Sequence, residues 1–542
     1  MRRATPAEVA GRRYDVVVIG GGITGAATAR EAALRGLTVL LVEKDDFAAG
    51  TSSRSSKLIH GGLRYLESYQ FRLVAESLRE RERMLRVAPH LTEVRPFLYL
   101  LHDGEPPSRF LLSLGLTFYD VASGAWRTRR HRMLSAAQVA AREPYLATEG
   151  LRGAGLFHDV LTDDARLTVD TVHGAAEAGA HVLNHAAVTG LVLEDGRAGG
   201  VRVADRIGGG TFEVRARRVL NATGPWTERT RALETPDGDG SRPEAGPVTR
   251  PTKGVHIVVR RSDFPLGTAV FLRSPDDGRV VWPVPSLQED LVYIGTTDTD
   301  YTGDLDDVHP EPADIRYLLD VANRAIPAAR LTERHVVGSW AGLRPLVAPP
   351  PGVSESDTSR EHQISTGPAG MLTISGGKLT SSRLMARQLV DAAVSSMRRR
   401  TRRAPVRPLP GADARAIRDV RTTALAHAVP LPIVETWIGR YGSKARHVLE
   451  RWLAGPDARE VVGVRLLTRA EIAYCVEEEL VVTLADLMVR RTSAFFWDAT
   501  GGLASIEAVA DELQRLVPWT DRQRRAEVEE YRALVARHRP AP

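Results

Sequence analysis

The sequence is poor in cysteine: among 542 residues there is one, Cys475. One cysteine can form neither an intramolecular disulfide nor a cysteine metal cluster, and such scarcity is typical of proteins from a reducing cytoplasm. The chain also has no run of 18 apolar residues, so no membrane-spanning segment is predicted. Its basic amino terminus lacks the apolar stretch of a signal peptide. We therefore expect a cytoplasmic protein.

Lysine is the second scarcity. Only five of the 73 basic residues are lysines, at positions 44, 57, 253, 378 and 444. An arginine excess of this kind is typical of a biased genome, and with a formal net charge of only +6 it does not indicate nucleic-acid binding. Lysine offers a compact point charge that the planar guanidinium of arginine does not reproduce. Lys57, Lys253 and Lys378 lie in Gly- or Ser-rich loops, which makes them candidate functional residues.

The remaining composition is that of an ordinary globular protein, with 43% hydrophobic and 26% charged residues. A chain of this length is too long for a single core, so two or three domains are expected.

Residues 15–25 predict a dinucleotide-binding turn. The β-branched residues 16–19 indicate a buried parallel strand, and Gly20, Gly22 and Gly25 lead into a predicted helix over 24–35. A second strand, 38–42, ends on Glu43. In such a unit the first glycine permits the turn, the second lets backbone approach a pyrophosphate, and the third lets helix and strand pack closely. The helix N-terminus would then bind phosphates, and the acid would bind the ribose hydroxyls.

The rest of the chain divides by pattern. We predict a disordered arm at 1–13 and two interleaved domains over 14–400. A basic, proline-rich linker follows at 398–411, and a helical domain at 412–542. The substrate domain falls mainly in 95–160 and 247–370. Residues 247–375 have the alternating pattern of an antiparallel sheet, with strands expected at 255–260, 269–272, 279–284, 291–296, 335–338 and 371–375. In the last domain, Ile472, Val476, Leu480, Leu484 and Leu487 are assigned to one helical face.

The most apolar surface candidate is the segment 110–119. We interpret it first as a core segment, with a membrane-dipping segment as the alternative.

Both nicotinamide dehydrogenases and flavoproteins use the first turn, and two features favour flavin. The polar loop 50–65 follows the Glu43 strand directly, where a flavoprotein wraps its pyrophosphate and ring. A second Gly-rich junction at 375–378 opens a helix more than 330 residues downstream. The positive end of that helix would stabilise an anionic reduced ring.

Six motifs, in order, resemble the FAD-dependent glycerol-3-phosphate dehydrogenases, the aerobic quinone-linked bacterial enzymes and their mitochondrial relatives. The motifs are residues 51–66, 221–226, 253–256, 294–298, 342–346 and 376–380, with a looser match at 489–492. The resemblance implies an α/β fold: a two-domain FAD-binding Rossmann-type fold with an antiparallel-sheet substrate domain, plus an all-helical C-terminal domain. It also implies FAD as cofactor, sn-glycerol 3-phosphate as substrate and a membrane quinone as electron acceptor. A peripheral position on the cytoplasmic membrane face and a homodimer are left open.

The cofactor residues that we assign lie in the first turn and in these motifs. They are Gly20, Gly22, Gly25, Glu43, Thr51, Ser52, Ser56, Lys57, His60, Gly61, Gly224, Thr296, Gly377, Lys378, Leu379 and Thr380.

The substrate residues implied by the resemblance are mainly cations. Arg64, Arg344 and Lys378 match the family's substrate-site cations, and Arg360 is added as a fourth phosphate contact. A phosphate dianion requires fixed cationic donors, preferably bidentate ones. Tyr65 is assigned to the same pocket, with core packing as the alternative.

His256 is the candidate proton acceptor, because an ordinary histidine pKa near 6.5 suits a general base at cytoplasmic pH. The alternative is that His256 orients the substrate without taking the proton. No catalytic triad or metal-ligand spacing is found in the sequence. Two other functions stay open: an oxygen-dependent oxidase of glycerol 3-phosphate or an amine, and a non-catalytic flavin-binding paralogue.

Overall fold

The computed structural model describes residues 1–67, 69–124, 129–235, 248–274, 276–287, 290–348 and 362–540. Arg360, and the side chain of Arg64, lie outside the described part, so the two phosphate contacts assigned to them have no geometry here.

An eight-stranded sheet carries the dinucleotide-binding turn. The predicted first strand, Arg13–Ile19, lies at its centre, with parallel neighbours Val39–Val42 on one side and Thr211–Asn221 on the other. The other strands are His181–Leu183, Leu372–Ser375, Gln363–Thr366, Arg197–Asp205 and Ala186–Glu194. Helices Ile23–Leu34, Asp164–Glu177 and Ser382–Ser396 share a core with this sheet. The central strands are buried on both faces, as their runs of Val, Ile and Leu predict.

A ten-stranded sheet forms the second layer. Its strands are Leu58–Ile59, Thr92–His102, Arg132–Ser135, Leu151–Thr162, Thr249–Arg260, Ala269–Arg273, Val280–Pro285, Leu291–Gly295, Thr299–Asp300 and Val336–Val347. All described pairings are antiparallel except Ala269–Arg273 with Thr92–His102. The helices of this layer and its connections are Phe71–Val87, Arg109–Ser123, Ala136–Arg142, Thr227–Arg231 and Pro312–Ala325.

The C-terminal part is helical with one small hairpin, Val461–Gly463 paired with Leu467–Thr468. Its helices are Ala414–Ala426, Leu431–Tyr441, Ala445–Ala454, Arg469–Glu479, Asp486–Arg491, Ala494–Trp497, Ile506–Leu516 and Asp521–Arg537. The segment Asp486–Arg491 is a π-helix. Among the described residues, no helix combines the length and apolarity needed to cross a membrane.

The predicted disordered arm is wrong, because residues 1–13 are ordered. Thr5 and Glu8 form a capping box at the start of the helix Pro6–Ala10, and Val9 is buried beneath it. Arg3 pairs with Asp205 at 2.7 Å, and the Met1 ammonium donates a hydrogen bond to the carbonyl of Glu478. A local cap and a few long-range contacts therefore order a segment that composition alone left without structure.

Two other predictions need correction. The strand expected at 371–375 belongs to the first sheet, because Leu372–Ser375 pairs parallel with Thr211–Asn221. The apolar face over 472–487 is not one helix, since Leu480 adopts a left-handed conformation (φ 59°) that ends Arg469–Glu479. The chain then continues into the π-helix, and period alone does not reveal that break.

Candidate active site

A cavity of about 430 Å³ opens where the first strand meets its helix. Its lining includes nine of the predicted cofactor residues: Gly20, Gly22, Glu43, Thr51, Ser52, Gly224, Gly377, Lys378 and Leu379. The lining also includes Ala186, Val188 and Arg206, together with Pro345 and the turn 376–379. The two Gly-rich junctions, distant in sequence, therefore face one cavity.

The glycines of the first turn do different work. A Cβ atom added to Gly25 would lie 1.8 Å from the carbonyl oxygen of Gly20, so Gly25 serves close packing inside the turn. A Cβ atom on Gly22 would meet only the hydroxyl of Ser52, at 3.1 Å, and Gly22 faces the cavity. Gly22 also caps the helix Ile23–Leu34, whose N-terminus is thus directed at the cavity.

Glu43 ends the second strand, as predicted, and lies at the cavity wall. Its carboxylate accepts hydrogen bonds from the backbone N–H groups of Gly21 (2.6 Å) and Asp45 (2.9 Å). Burial raises the pKa of this carboxyl above its ordinary value. Each carboxylate oxygen has a second lone pair, so the group fits a ribose diol. A glycine turn at a helix N-terminus, this acid and the second Gly-rich turn are together the residues that an FAD requires.

The Ser-rich loop 51–61 only partly follows the prediction. Ser56, Lys57, His60 and Gly61 do not line the cavity among the described residues. The Lys57 ammonium is buried, donates to Asp164 (2.6 Å), and lies 4.1 Å from the Phe496 ring centroid. Lys57 thus holds the loop 51–61 through contacts on the side away from the cavity lining. The structure therefore shows no position from which Lys57 would contact the cofactor directly.

His60 and Gly61 lie beside the second Gly-rich turn. The hydroxyl of Thr380 donates to the carbonyl of His60 (3.3 Å), and the N–H of Gly61 donates to the hydroxyl of Tyr119 (2.8 Å). The His60 and Trp282 ring centroids are 6.5 Å apart. Thr380 and His60 therefore pack behind the turn that carries Lys378, and neither of them lines the cavity.

Lys378, which lines the cavity, contacts Tyr65. The Lys378 ammonium lies 3.7 Å from the centroid of the Tyr65 ring, a cation–π contact that fixes the charge. Tyr65 is 8% exposed, belongs to a core cluster and is not among the described lining residues, so the structure shows the core packing, and its assignment to the substrate pocket stays a prediction.

Arg344 adjoins the cavity, since its chain neighbour Pro345 lines it. Its guanidinium donates to Asp298 Oδ1 (3.0 Å) and to the hydroxyl of Thr296 (3.0 Å). Thr296, predicted to contact the cofactor, is thus observed as a support for Arg344. The strand Val336–Val347 presents this arginine opposite Thr252 of the neighbouring strand.

His256 lies deeper than the prediction assumed. Its ring stacks on Trp340 with centroids 4.8 Å apart, and its Nε2 is 2.9 Å from the hydroxyl of Ser56. Burial, together with the charges of Arg344 and Lys57, holds the pKa of His256 well below 6.5. Such an imidazole is neutral but weakly basic, so this geometry favours the orienting role over the general-base role.

Several cavity residues were missed by sequence reasoning. Trp226 lines the cavity and donates through its indole N–H to Asp306 (2.8 Å), and the Lys44 ammonium lies 4.5 Å from its ring. Trp226 ends the recognised motif at 221–226 and could have been assigned from it. Arg206 and Asp306 come from remote loops and had no local signal.

The fold and this cavity define an FAD-dependent oxidoreductase of the two-domain α/β class. Residues 15–392 match the family described as FAD dependent oxidoreductase, and residues 397–524 match the C-terminal domain of alpha-glycerophosphate oxidase. The chain is 36% identical to the aerobic glycerol-3-phosphate dehydrogenase of Bacillus subtilis (strain 168), over 97% of this chain and 95% of that protein. It therefore belongs to the FAD-dependent glycerol-3-phosphate dehydrogenase family.

Two further comparisons agree. The aerobic glycerol-3-phosphate dehydrogenase of Staphylococcus saprophyticus is 34% identical, with 98% of this chain and 96% of that protein covered. The solved structure of the glycerol-3-phosphate dehydrogenase from Bacillus halodurans, complexed with FAD, superposes with a TM-score of 0.82 at 32% identity, covering 98% and 96% of the two chains. The predicted fold class, family and cofactor are thus confirmed.

Proposed function

We propose that this protein oxidises sn-glycerol 3-phosphate to dihydroxyacetone phosphate and passes the electrons to a membrane quinone. Bound FAD would supply the two-electron acceptor for the hydride leaving C2. The observation that carries the proposal is a pair of cations associated with the FAD cavity: Lys378 lines it, and Arg344 is the chain neighbour of Pro345, which also lines it.

The two cations suit a phosphate ester. Asp298 and Thr296 hold the plane of the Arg344 guanidinium, so its orientation is set before substrate arrives. Tyr65 does the same for the Lys378 ammonium. Preset cationic donors bind a phosphate dianion with little ordering loss. An amino-acid substrate would require a carboxylate clamp with an amine pocket, which these residues do not suggest.

Two histidines, His256 and His60, are the candidates for the group that accepts the proton from the substrate hydroxyl. His256 is neutral but weakly basic in its buried position, and His60 is half-buried beside the turn that carries Lys378. We expect His60→Asn to lower kcat with a loss that lessens as pH rises, because the alcohol then needs less help. His256→Asn should lower kcat at all pH values alike. The reverse pattern would make His256 the base.

The experiment that tests the reaction is anaerobic titration of the purified yellow protein with sn-glycerol 3-phosphate. The bound flavin should bleach, and glycerol at the same concentration should not bleach it. Reoxidation should be fast with a soluble quinone and slow with oxygen. No bleaching would overturn the proposed reaction, whereas rapid reoxidation by oxygen alone would favour the glycerophosphate oxidase alternative.

An exposed apolar patch supports peripheral membrane contact. On the helix Arg109–Ser123, Phe110, Leu114 and Val121 are 80%, 57% and 61% exposed, while Leu112, Leu116 and Tyr119 are buried on the other face. Tyr69 and Phe71 extend the patch, with the Phe71 ring 5.4 Å from that of Phe118. An apolar face of this kind suits the interface of a lipid bilayer.

The patch is also close to the site. Tyr119, on the buried face of the same helix, accepts the N–H of Gly61 and donates to Asp159. A helix docked on the membrane would therefore bring His60 and Gly61 near a lipid-dissolved quinone. The basic cluster 398–407 lies elsewhere, because Arg399 pairs with Asp15 at the opposite end of the first strand from the cavity. We place the protein on the cytoplasmic face through the apolar patch.

Flotation with anionic vesicles tests the docking. Wild type should float at both low and high salt, since apolar contact survives screening. Leu114→Asp should remain at the bottom. Leu425→Asp, at a leucine 60% exposed on another helix, is the matched control and should float. Equal flotation of the two variants would remove the patch from the docking surface.

A further inference from the structure

A buried network joins the C-terminal helices to the FAD cavity. The carboxylate of Asp46 is completely buried and receives Arg490 Nε (2.7 Å), Arg491 Nη1 (2.7 Å) and Arg491 Nη2 (3.0 Å). Asn184 adds a fourth, longer donor at 3.2 Å. Both arginines come from the π-helix Asp486–Arg491, so three of these four hydrogen bonds cross from the C-terminal domain.

Asp46 lies within the loop 43–50, whose two ends line the cavity. Glu43, Lys44 and Asp45 line the cavity before it, and Ala49 and Gly50 line the cavity after it. The loop also contacts the glycine turn, because the N–H of Ala48 donates to the carbonyl of Gly21 (3.1 Å). The hydrogen bonds that fix Asp46 therefore also fix the cavity-lining residues that precede and follow it in the chain.

The arginines are themselves fixed. Arg491 is 0% exposed and donates twice to the carbonyl of Glu479, at 2.6 and 3.2 Å. Arg490 also pairs with Asp486 at 2.5 Å, and Asp486 accepts from His185 at 3.0 Å. Asp46, His185 and Asp486 come within 4.8 Å of one another, the spacing of a metal site. The two guanidiniums already neutralise these carboxylates, so the cluster is a salt-bridge network.

We propose that the C-terminal domain is part of the FAD-binding machinery, with Arg490 and Arg491 acting as positioning residues that hold the Asp46 loop against the cofactor. Neither arginine lines the cavity; both act through Asp46. Loss of one partner leaves a buried charge without compensation, and the loop must then move toward solvent. The expected effect is on the lifetime of bound FAD.

The test is the dissociation rate of FAD from the purified holoprotein, followed as the fluorescence of released flavin. Asp46→Asn removes the charge that both arginines share, and Arg491→Lys keeps its charge but loses the forked donors to Asp46 and Glu479, so each variant should raise this rate by about tenfold or more. The control is Arg440→Lys, which weakens another buried pair, that of Arg440 (8% exposed) with Glu471 (2.6 Å), in the same domain and away from residues 43–50. This variant should lower the melting temperature comparably and leave the FAD dissociation rate unchanged.

A second readout does not depend on any variant. Because linkage is reciprocal, FAD binding should stabilise the segment that stabilises FAD binding. Hydrogen exchange of the amides in 486–491 should slow when FAD is added to wild-type apoprotein, and this protection should be lost in Asp46→Asn. The proposal is overturned if FAD leaves Arg491→Lys and Arg440→Lys at the same rate, or if FAD leaves exchange at 486–491 unchanged.

Discussion

At the scale of single residues, Gly22 and Gly25 have different roles: Gly22 leaves room for the cofactor, and Gly25 is needed for the turn to fold. They lie three positions apart in one turn, yet a side chain at Gly22 would project toward the cavity and one at Gly25 would collide with the Gly20 carbonyl. Family resemblance assigns both to FAD. Geometry distinguishes what each contributes.

Gly22→Val should fold but fail to hold FAD, because its side chain occupies the space of the pyrophosphate. Gly25→Ala should fold poorly, since backbone must move to admit its Cβ. Flavin content is measured as the 450 nm absorbance per protein, and folding is measured by the far-ultraviolet circular dichroism of each variant. A yellow Gly22→Val protein, or a stable Gly25→Ala protein, would contradict this distinction.

Arg344→Lys should weaken substrate selection without disturbing the flavin. The charge stays, but the planar donor held by Asp298 and Thr296 is lost. A charge-assisted hydrogen bond is worth roughly 1.5–3 kcal/mol, so kcat/KM for glycerol 3-phosphate should fall by about 10- to 150-fold. Activity on glycerol should change little. If both proteins prefer the phosphate ester equally, Arg344 is not a phosphate contact.

Site residues inside contiguous motifs were predictable, and residues joined across the chain were not. Nine predicted cofactor residues line one cavity because each motif ends a strand or begins a helix at the same edge of the sheet. Asp46 and Arg491, by contrast, are 445 positions apart. Their pairing depends on how the C-terminal domain docks, which no local spacing encodes. The depth of His256 likewise depends on Trp340 stacking on it.

At the scale of elements, the last helix, Asp521–Arg537, carries a glutamate, Glu527, whose burial disfavours the ionised carboxylate. Glu527 accepts the N–H of Leu484 at 3.1 Å, and burial raises its pKa to about 7. A carboxyl whose folded pKa exceeds its unfolded value binds more protons in the folded state. It therefore lowers stability as pH rises from about 4.5 to about 7.

Glu527→Gln should consequently be more stable than wild type at pH 8. The difference in melting temperature should shrink as pH falls through about 7 and disappear near pH 4.5, as the wild-type carboxyl becomes neutral when folded. Glu529→Gln, at an exposed glutamate paired with Arg532 on the same helix, is the control and should show no such pH dependence. A constant difference at all pH values would mean that the glutamine repacks the site.

Element prediction succeeded where hydrophobic period and boundary signals agreed. The helix Ile23–Leu34 and the strand Val39–Val42 lie within a residue of their predicted positions, and the first strand begins three residues earlier than predicted. It failed at Leu480, where an apolar period continues across a left-handed residue, and at Leu372–Ser375, whose partner is set by tertiary structure.

At the scale of the whole molecule, the two halves are joined by buried charge as well as apolar packing. Arg166, on the helix Asp164–Glu177, donates to Glu479 at 2.5 and 2.8 Å, and Lys444 donates to Asp170 at 2.6 Å. One core cluster includes Tyr293 and Trp340 together with Phe496. Separation of the domains would expose all of these groups.

We therefore expect a single unfolding transition for the holoprotein in urea. Helical circular dichroism, to which helices of both halves contribute, and the fluorescence of released FAD should change at the same denaturant midpoint. Flavin release well before loss of helicity would show that the halves unfold independently and would contradict this prediction.

The scarcity of lysine acquires a practical consequence from where the five lysines lie. Lys57, Lys253 and Lys444 are buried, and the Lys378 ammonium is buried against the Tyr65 ring, while Lys44 is partly exposed and lines the FAD cavity. Amine-reactive acylation should therefore mark position 44 in the apoprotein, and FAD should protect it, as peptide mapping would show. Amine coupling to an electrode or sensor chip would therefore attach the molecule through a residue of the FAD cavity. Because Cys475 is also buried, one cysteine introduced at the surface would give a unique and harmless attachment point.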